Sequence, residues 1–212
     1  KKVVVNDPEA KIVRDIFEGV QDTGIRAGII GEVGCSWPLT SNERKVLRAS
    51  ARAQRLTGAP LMIHPGRHPG APQQIVDVLR EADADFSRTI MCHIDRTIDE
   101  EAALKKLAAT GCVLEYDLFG TEHSYYPWEL PVDMPNDAGR LRRLAWLLAE
   151  GLGNQIVISH DTYFKYQLVR YGGHGYAHIP ANVVPLMRRK GFAEEHIRRI
   201  LVDNPARLLA FA

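Results

Sequence analysis

Five short apolar runs, at residues 25–34, 59–64, 88–93, 111–120 and 154–161, alternate with stretches of helical spacing. This alternation restricts the chain to a mostly parallel sheet with helices over both faces. The helix signals are local ones. Asp7 before Pro8 reads as an N-cap with proline in the first turn, and Ile12, Val13, Ile16, Phe17 and Val20 line one face of a helix over 8–22, closed by Gly24. Thr40 with Glu43, and Thr97 with Glu100, have the spacing of capping boxes, opening helices that run to Gly58 and Ala109. Further helices are expected over 71–82, 137–150, 180–190 and 193–202.

Four of the five runs reach a side chain that binds cations: Glu32, His64, His93 and Asp161. In a parallel sheet the carboxyl ends share one rim, so four donors from separate strands are expected to converge there. Oxygen and imidazole donors suit Zn²⁺, Mn²⁺, Fe²⁺ or Co²⁺. A lone histidine at a strand end is more often a local hydrogen-bonding feature, and it is the repetition that points to a shared site. Glu32 lies between glycines in "IIGEVG", where an unpaired buried carboxylate is costly without a partner or an ion. His160 adjoins Asp161, so alternation turns the two to opposite faces; Asp161 is taken as ligand or base and His160 as structural. His68 is expected on the rim, His123, His174 and His178 are loop candidates for substrate contact, and His196 sits on a charged helix.

With 212 residues, 45% hydrophobic and 25% charged, one domain is the simplest count. A net charge of +1 gives no field that would gather nucleic acid or an acidic membrane, and the basic clusters at 140–143, 188–190 and 198–199 read as solvated helix faces. Cys35, Cys92 and Cys112, without a CxxC pair, argue for a reducing, cytoplasmic setting rather than a disulfide framework. No apolar run approaches the roughly 20 residues of a membrane helix, and no glycine-rich nucleotide loop is present. The aromatic and proline-rich stretch 120–137 is too long for a plain connection and is expected to form an ordered wall or lid.

The stretches "GIIGEVGCSW" (28–37), "MIHPGR" (62–67), "CHIDRT" (92–97), "VISHDTYFK" (157–165), "YGGHGYAH" (171–178) and "NPARLLAF" (204–211) together resemble the phosphotriesterase-related proteins, in the phosphotriesterase branch of the amidohydrolase superfamily. The resemblance covers essentially the whole chain. It implies an α/β fold, the (β/α)₈ TIM barrel, of which residues 1–212 would hold strands four to eight with their helices, the carboxy-terminal part of a single barrel. It implies two divalent metal ions, most simply Zn²⁺, with Mn²⁺, Fe²⁺ or Co²⁺ as alternatives, and a bridging hydroxide that attacks an amide, ester, lactone or phosphotriester. Glu32 takes the bridging place that a carbamylated lysine holds in classical members, His64 and His93 serve the more exposed ion, and Asp161 serves the buried ion and takes the proton. Arg96 and Tyr116 are expected to orient the substrate, with the loops 120–137 and 162–178 shaping the leaving-group pocket.

Two departures matter. Arg96 and Leu118 stand where classical members carry an aspartate and a histidine for proton transfer, so that shuttle is absent; Arg96 suits an anionic substrate group instead. The His-x-His pair of the first barrel strand occurs nowhere in the chain. The expected whole is therefore a longer protein of roughly 310–360 residues, a homodimer acting on a small molecule, with two-metal catalysis failing in the 212-residue piece alone. The rival readings are a single-metal amidohydrolase, a non-catalytic ligand-binding barrel, and an open doubly wound α/β domain without metal.

Overall fold

The computed structural model describes residues 7–126, 129 and 132–210. Five parallel strands, β1 (Ile30–Gly34), β2 (Leu61–His64), β3 (Thr89–Met91), β4 (Val113–Tyr116) and β5 (Ile156–Ile158), lie side by side in chain order. Each is joined to the next through a helical connection: α2 (Ser41–Thr57), α3 (Ala71–Glu81), α4 (Ile94–Thr97) with α5 (Glu101–Ala108), and α6 (Asp137–Ala149). A doubly wound sheet reverses its strand order at a switch point. Among the described residues no such reversal occurs, which argues against the open doubly wound alternative and leaves a parallel α/β sheet consistent with part of a barrel.

Alternation along the strands divides the core. Leu61, Ile63, Met91, Leu114, Tyr116 and Ile156 pack under the helices with Leu47, Leu79, Leu104 and Leu144. Met62, Ile90, Cys92, Val113 and Val157 form a second cluster on the other face, joined by Leu208 from the last helix. Tyr116 therefore belongs to the helix layer: it is 2% exposed, beside Asp95, Arg143 and Trp146. Its expected place against the substrate is corrected, because in "LEYD" alternation points Glu115 and Asp117 to the inner face and the ring between them outward.

Several caps form as read. Asp7 accepts from the N–H groups of Glu9 and Ala10 at the start of α1 (Pro8–Phe17), and the Thr40–Glu43 box opens α2, which Gly58 closes in a left-handed conformation. Two expectations fail. α1 stops at Phe17 rather than residue 22 because the chain turns at Gly19, whose φ is +127°. Thr97 opens no helix: its hydroxyl donates to the carbonyl of His93 (2.7 Å), ending the single turn of α4, and α5 starts after Glu100 without a side-chain cap. The chain finishes in α7 (Val184–Arg189), α8 (Glu194–Arg198) and α9 (Asn204–Leu209); the buried Asn204 amide ties α9 to the carbonyls of Gly153 and Ile156. Among the described residues no helix is long and apolar enough to cross a membrane, and all three cysteines are buried and free.

Candidate metal centre

Strand β1 carries an extra residue. Ile30 pairs with Leu61 but Val33 with Ile63, so Gly31 and Glu32 of β1 oppose Met62 alone. A bulge of this kind re-aims a side chain, and the one it re-aims here is Glu32. The neighbouring Gly31 has φ +139°, and a Cβ on it would lie 2.4 Å from the Met62 carbonyl oxygen. Only glycine permits so close an approach of the two strands.

Glu32 Oε1 lies 2.9 Å from His93 Nε2 and 3.4 Å from His64 Nδ1, and the two ring nitrogens are 2.8 Å apart. These three donors come from neighbouring regions at one end of the sheet, and all fall within 4.8 Å of one another. Protons alone do not satisfy them. Arg96 Nη2 is 3.1 Å from His64 Nε2 and only donates, so Nε2 must accept and the His64 ring proton sits on Nδ1. That proton then faces a second ring nitrogen which itself needs a proton to reach Glu32. A cation taking the three lone pairs would remove the crowding at Glu32, with the His64 ring proton then on Nε2. Bond lengths of roughly 2.0–2.2 Å to zinc give tetrahedral donor–donor edges of roughly 3.3–3.6 Å; the His64–Glu32 separation of 3.4 Å matches, and His93 at 2.8–2.9 Å from the other two would have to draw back by about half an ångström.

The carboxyl of Glu32, which burial would raise, is held well below its usual range by hydrogen bonds from His64 and His93. Burial also opposes the charged form of His93, but hydrogen bonds to Asp117 and Glu32 outweigh it and lift the pKa to about 10. The ring is 3% exposed and fixed from behind: Nδ1 lies 2.8 Å from Asp117 Oδ1, and the His93 backbone N–H donates to Asp117 Oδ2 at 2.8 Å. A carboxylate behind a ligating histidine sets its tautomer and orientation. Asp117→Asn should therefore weaken zinc binding about 10–100-fold, as read by competition with a chromogenic chelator.

Asp161 was expected in the same group. It stands nearby, close enough to feel the charges of His93, Glu32, His64 and Arg96, but does not join the three donors within 4.8 Å. Burial is the main influence on its carboxyl and raises it. His93 and Asp161 share a backbone feature, φ of +54° and +45°, in the left-handed region that few non-glycine residues enter. Such residues persist where surrounding structure holds them, commonly at functional sites.

The other histidines separate clearly. His160 Nε2 accepts from the Ile179 N–H (3.1 Å), a structural contact. His178 is buried, 2.6 Å from Asp137 Oδ2 and stacked on His174. His68 lies at the rim, stacked on Trp37. Within the long loop, Tyr126 meets Arg67, whereas residues 127, 128, 130 and 131 lie outside the described set.

A second group able to hold an ion, Cys92, Glu115 and Asp117, is fully buried beneath the first. Burial, reinforced by the neighbouring Asp117 charge, raises the Glu115 carboxyl to about 8, and its Oε2 has no hydrogen-bond partner. The strand-end pattern thus occurs a fifth time, at Asp117, the residue after Tyr116 and on the inner face. Beside His64 opens a cleft of about 1220 Å³ that takes in Trp37, Arg67, Arg96 and the segment around Asp133.

The comparisons agree with this geometry. The chain is 52% identical over 201 residues to N-acetyltaurine hydrolase of Dictyostelium discoideum, covering 95% of this chain and 54% of that protein. It is 48% identical over 211 residues to N-acetyltaurine hydrolase of Salmo salar, covering 100% of this chain and 60% of that protein. The chain thus spans little more than half the length of these relatives. Among solved structures, a resiniferatoxin-binding protein from Rhodobacter sphaeroides superposes with a TM-score of 0.89 at 35% identity, over 95% of this chain and 56% of that one. Residues 2–209 match the profile of the phosphotriesterase family. With the strand order, the donor cluster and this match in agreement, the chain belongs to the phosphotriesterase family.

Proposed function

We propose that this chain supplies the ion-binding strand ends of a cytoplasmic, zinc-dependent amide hydrolase that cleaves N-acetyltaurine to acetate and taurine, its five strands being the fourth to eighth of a (β/α)₈ barrel. The observation that carries this reading is the convergence of Glu32 Oε1, His64 Nδ1 and His93 Nε2 at one end of the sheet. The identity to two N-acetyltaurine hydrolases across nearly the whole chain supports the substrate, and the free buried cysteines support the compartment.

Glu32, His64 and His93 would hold the ion, with Asp117 fixing His93 in position. A divalent ion there supplies polarisation of the scissile carbonyl and acidification of water at neutral pH. The chain's own residues do the rest. Asp161 accepts the proton of the attacking water, whose oxygen bonds to the acyl carbon. The C–N bond then breaks and the amine nitrogen departs with the proton that Asp161 returns to it. Arg96 orients the anionic end of the substrate.

The test is release of taurine from N-acetyltaurine by the full-length protein, before and after removal of metal by a chelator. Zinc-dependent release is the expected result; no release by the metal-loaded protein rejects the reading. A ligand-binding barrel is the second reading, favoured by the position of Asp161 outside the donor group and by the likeness to a binding protein. It is supported if N-acetyltaurine binds but no product forms.

A further inference from the structure

Arg96 is 5% exposed, yet no carboxylate lies within ion-pair distance of it among the described residues. Its hydrogen bonds go to neutral groups: His64 Nε2 (3.1 Å), the Pro65 carbonyl (3.2 Å) and Thr97 Oγ1 (3.2 Å). A buried guanidinium without a counter-ion is expensive, and the deficit is met when a ligand brings the opposite charge. Arg67 stands in the same cleft in the same condition. It is half-buried, its Nε donates to the Tyr126 hydroxyl at 2.9 Å, and among the described residues it too has no carboxylate partner.

The acids that share the cleft are otherwise engaged or lie at its edge. Glu43 accepts from Ser36 and Thr40, Asp95 is paired with Arg140, and Asp99 with Arg143. Glu100, Glu129 and Asp133 are exposed at the rim. Arg67 and Arg96 are therefore the cations lining the cleft that, among the described residues, lack an opposite charge of their own.

With an ion on His64 Nδ1 the ring proton would sit on Nε2, and Arg96 Nη2, 3.1 Å from it, would then need another acceptor, which an oxyanion in the cleft would supply. The Tyr126 hydroxyl, already accepting from Arg67, has its own proton left to donate.

Building on the hydrolase reading above, we infer that Arg67, Arg96 and Tyr126 form a clamp for an oxyanion on the leaving-amine side of the substrate, and that this clamp selects N-acyl amides bearing a sulfonate-like group. The three come from different places: Arg67 three residues beyond His64, Arg96 in α4, Tyr126 in the long loop. His64 stands between the two: its Nδ1 belongs to the donor group and its Nε2 lies 3.1 Å from Arg96 Nη2.

The experiment compares N-acetyltaurine with N-[2-(methylsulfonyl)ethyl]acetamide in the metal-loaded full-length protein. The second compound keeps the linker and the sulfur but has no charge. Arg67→Met should lower the ratio of kcat/KM for the anion over the neutral sulfone about tenfold, acting through KM, and Arg67→Lys should recover part of it. Calorimetric binding of both compounds to the same proteins in an Asp161→Asn background gives a reading free of turnover, with the same loss expected in Kd for the anion. A charged-to-neutral ratio unchanged in Arg67→Met, in rate or in binding, overturns the clamp. If the wild type hydrolyses neither compound, the hydrolase reading fails, and the binding ratio still decides the clamp.

Discussion

Asp161→Asn is expected to lower kcat on N-acetyltaurine about 10²–10⁴-fold, the range associated with loss of a positioned proton acceptor. The substitution is mild for the fold. Asp161 has φ +45°, and asparagine is among the few side chains that tolerate the left-handed region. It also keeps the size and shape of the carboxyl group while removing its capacity to take a proton. Zinc content measured alongside kcat separates the two duties assigned to the residue. A protein that holds its metal and loses its rate has lost the acceptor. One that loses both has lost a ligand. Full activity with full metal content would show that the proton goes elsewhere.

Arg140→Met should be the most damaging change to stability. The Arg140 side chain is 0% exposed, as is that of Asp95, to which its Nε donates at 2.7 Å. Its Nη1 reaches Asp137 Oδ1 and the Thr121 carbonyl, both at 3.0 Å. Asp95 in turn accepts from the Leu118 N–H, and Asp137 accepts from the Gly120 N–H and meets His178. One guanidinium thus ties together α4, the loop after β4, the start of α6 and the approach to residue 179. Methionine fills much of the volume but leaves two buried carboxylates without their cation. Breaking a buried pair in this way costs about 3–5 kcal/mol, read as a fall in the urea midpoint. Arg143→Met is the control, since Arg143 pairs with a fully exposed Asp99 and should lose only a small fraction of that amount. Equal losses from the two would mean that the buried network is not what holds these elements.

Much of this was legible in the chain itself. The apolar runs and the caps at Asp7 and Thr40 locate the strands and two helices, and the donors at the run ends name Glu32, His64 and His93. What escaped depended on facing. In "EYD" the inner face belongs to Glu115 and Asp117, and a shift of one residue in the assumed register gave it to Tyr116. Asp117 is the costliest omission, because a carboxylate that holds a ligand from behind looks like any other acid at a strand end until the register is known. Thr97 has the right partner three residues on, yet its hydroxyl is drawn to the His93 carbonyl by the left-handed turn there, which sequence does not announce. The buried tetrad of Asp95, Arg140, Asp137 and His178 had no local signature, since its members lie up to 83 residues apart and meet only through the fold.

The three donors proposed to hold the ion stand at one end of the sheet, whereas Arg67 and Tyr126 ride on connecting loops. On that proposal, reactivity and choice of substrate would be inherited on different stretches of polypeptide. A lineage can exchange those loops and take up a new compound while its bond-breaking apparatus passes on unaltered, so divergence in this group should be read first in the connections and only last in the strands.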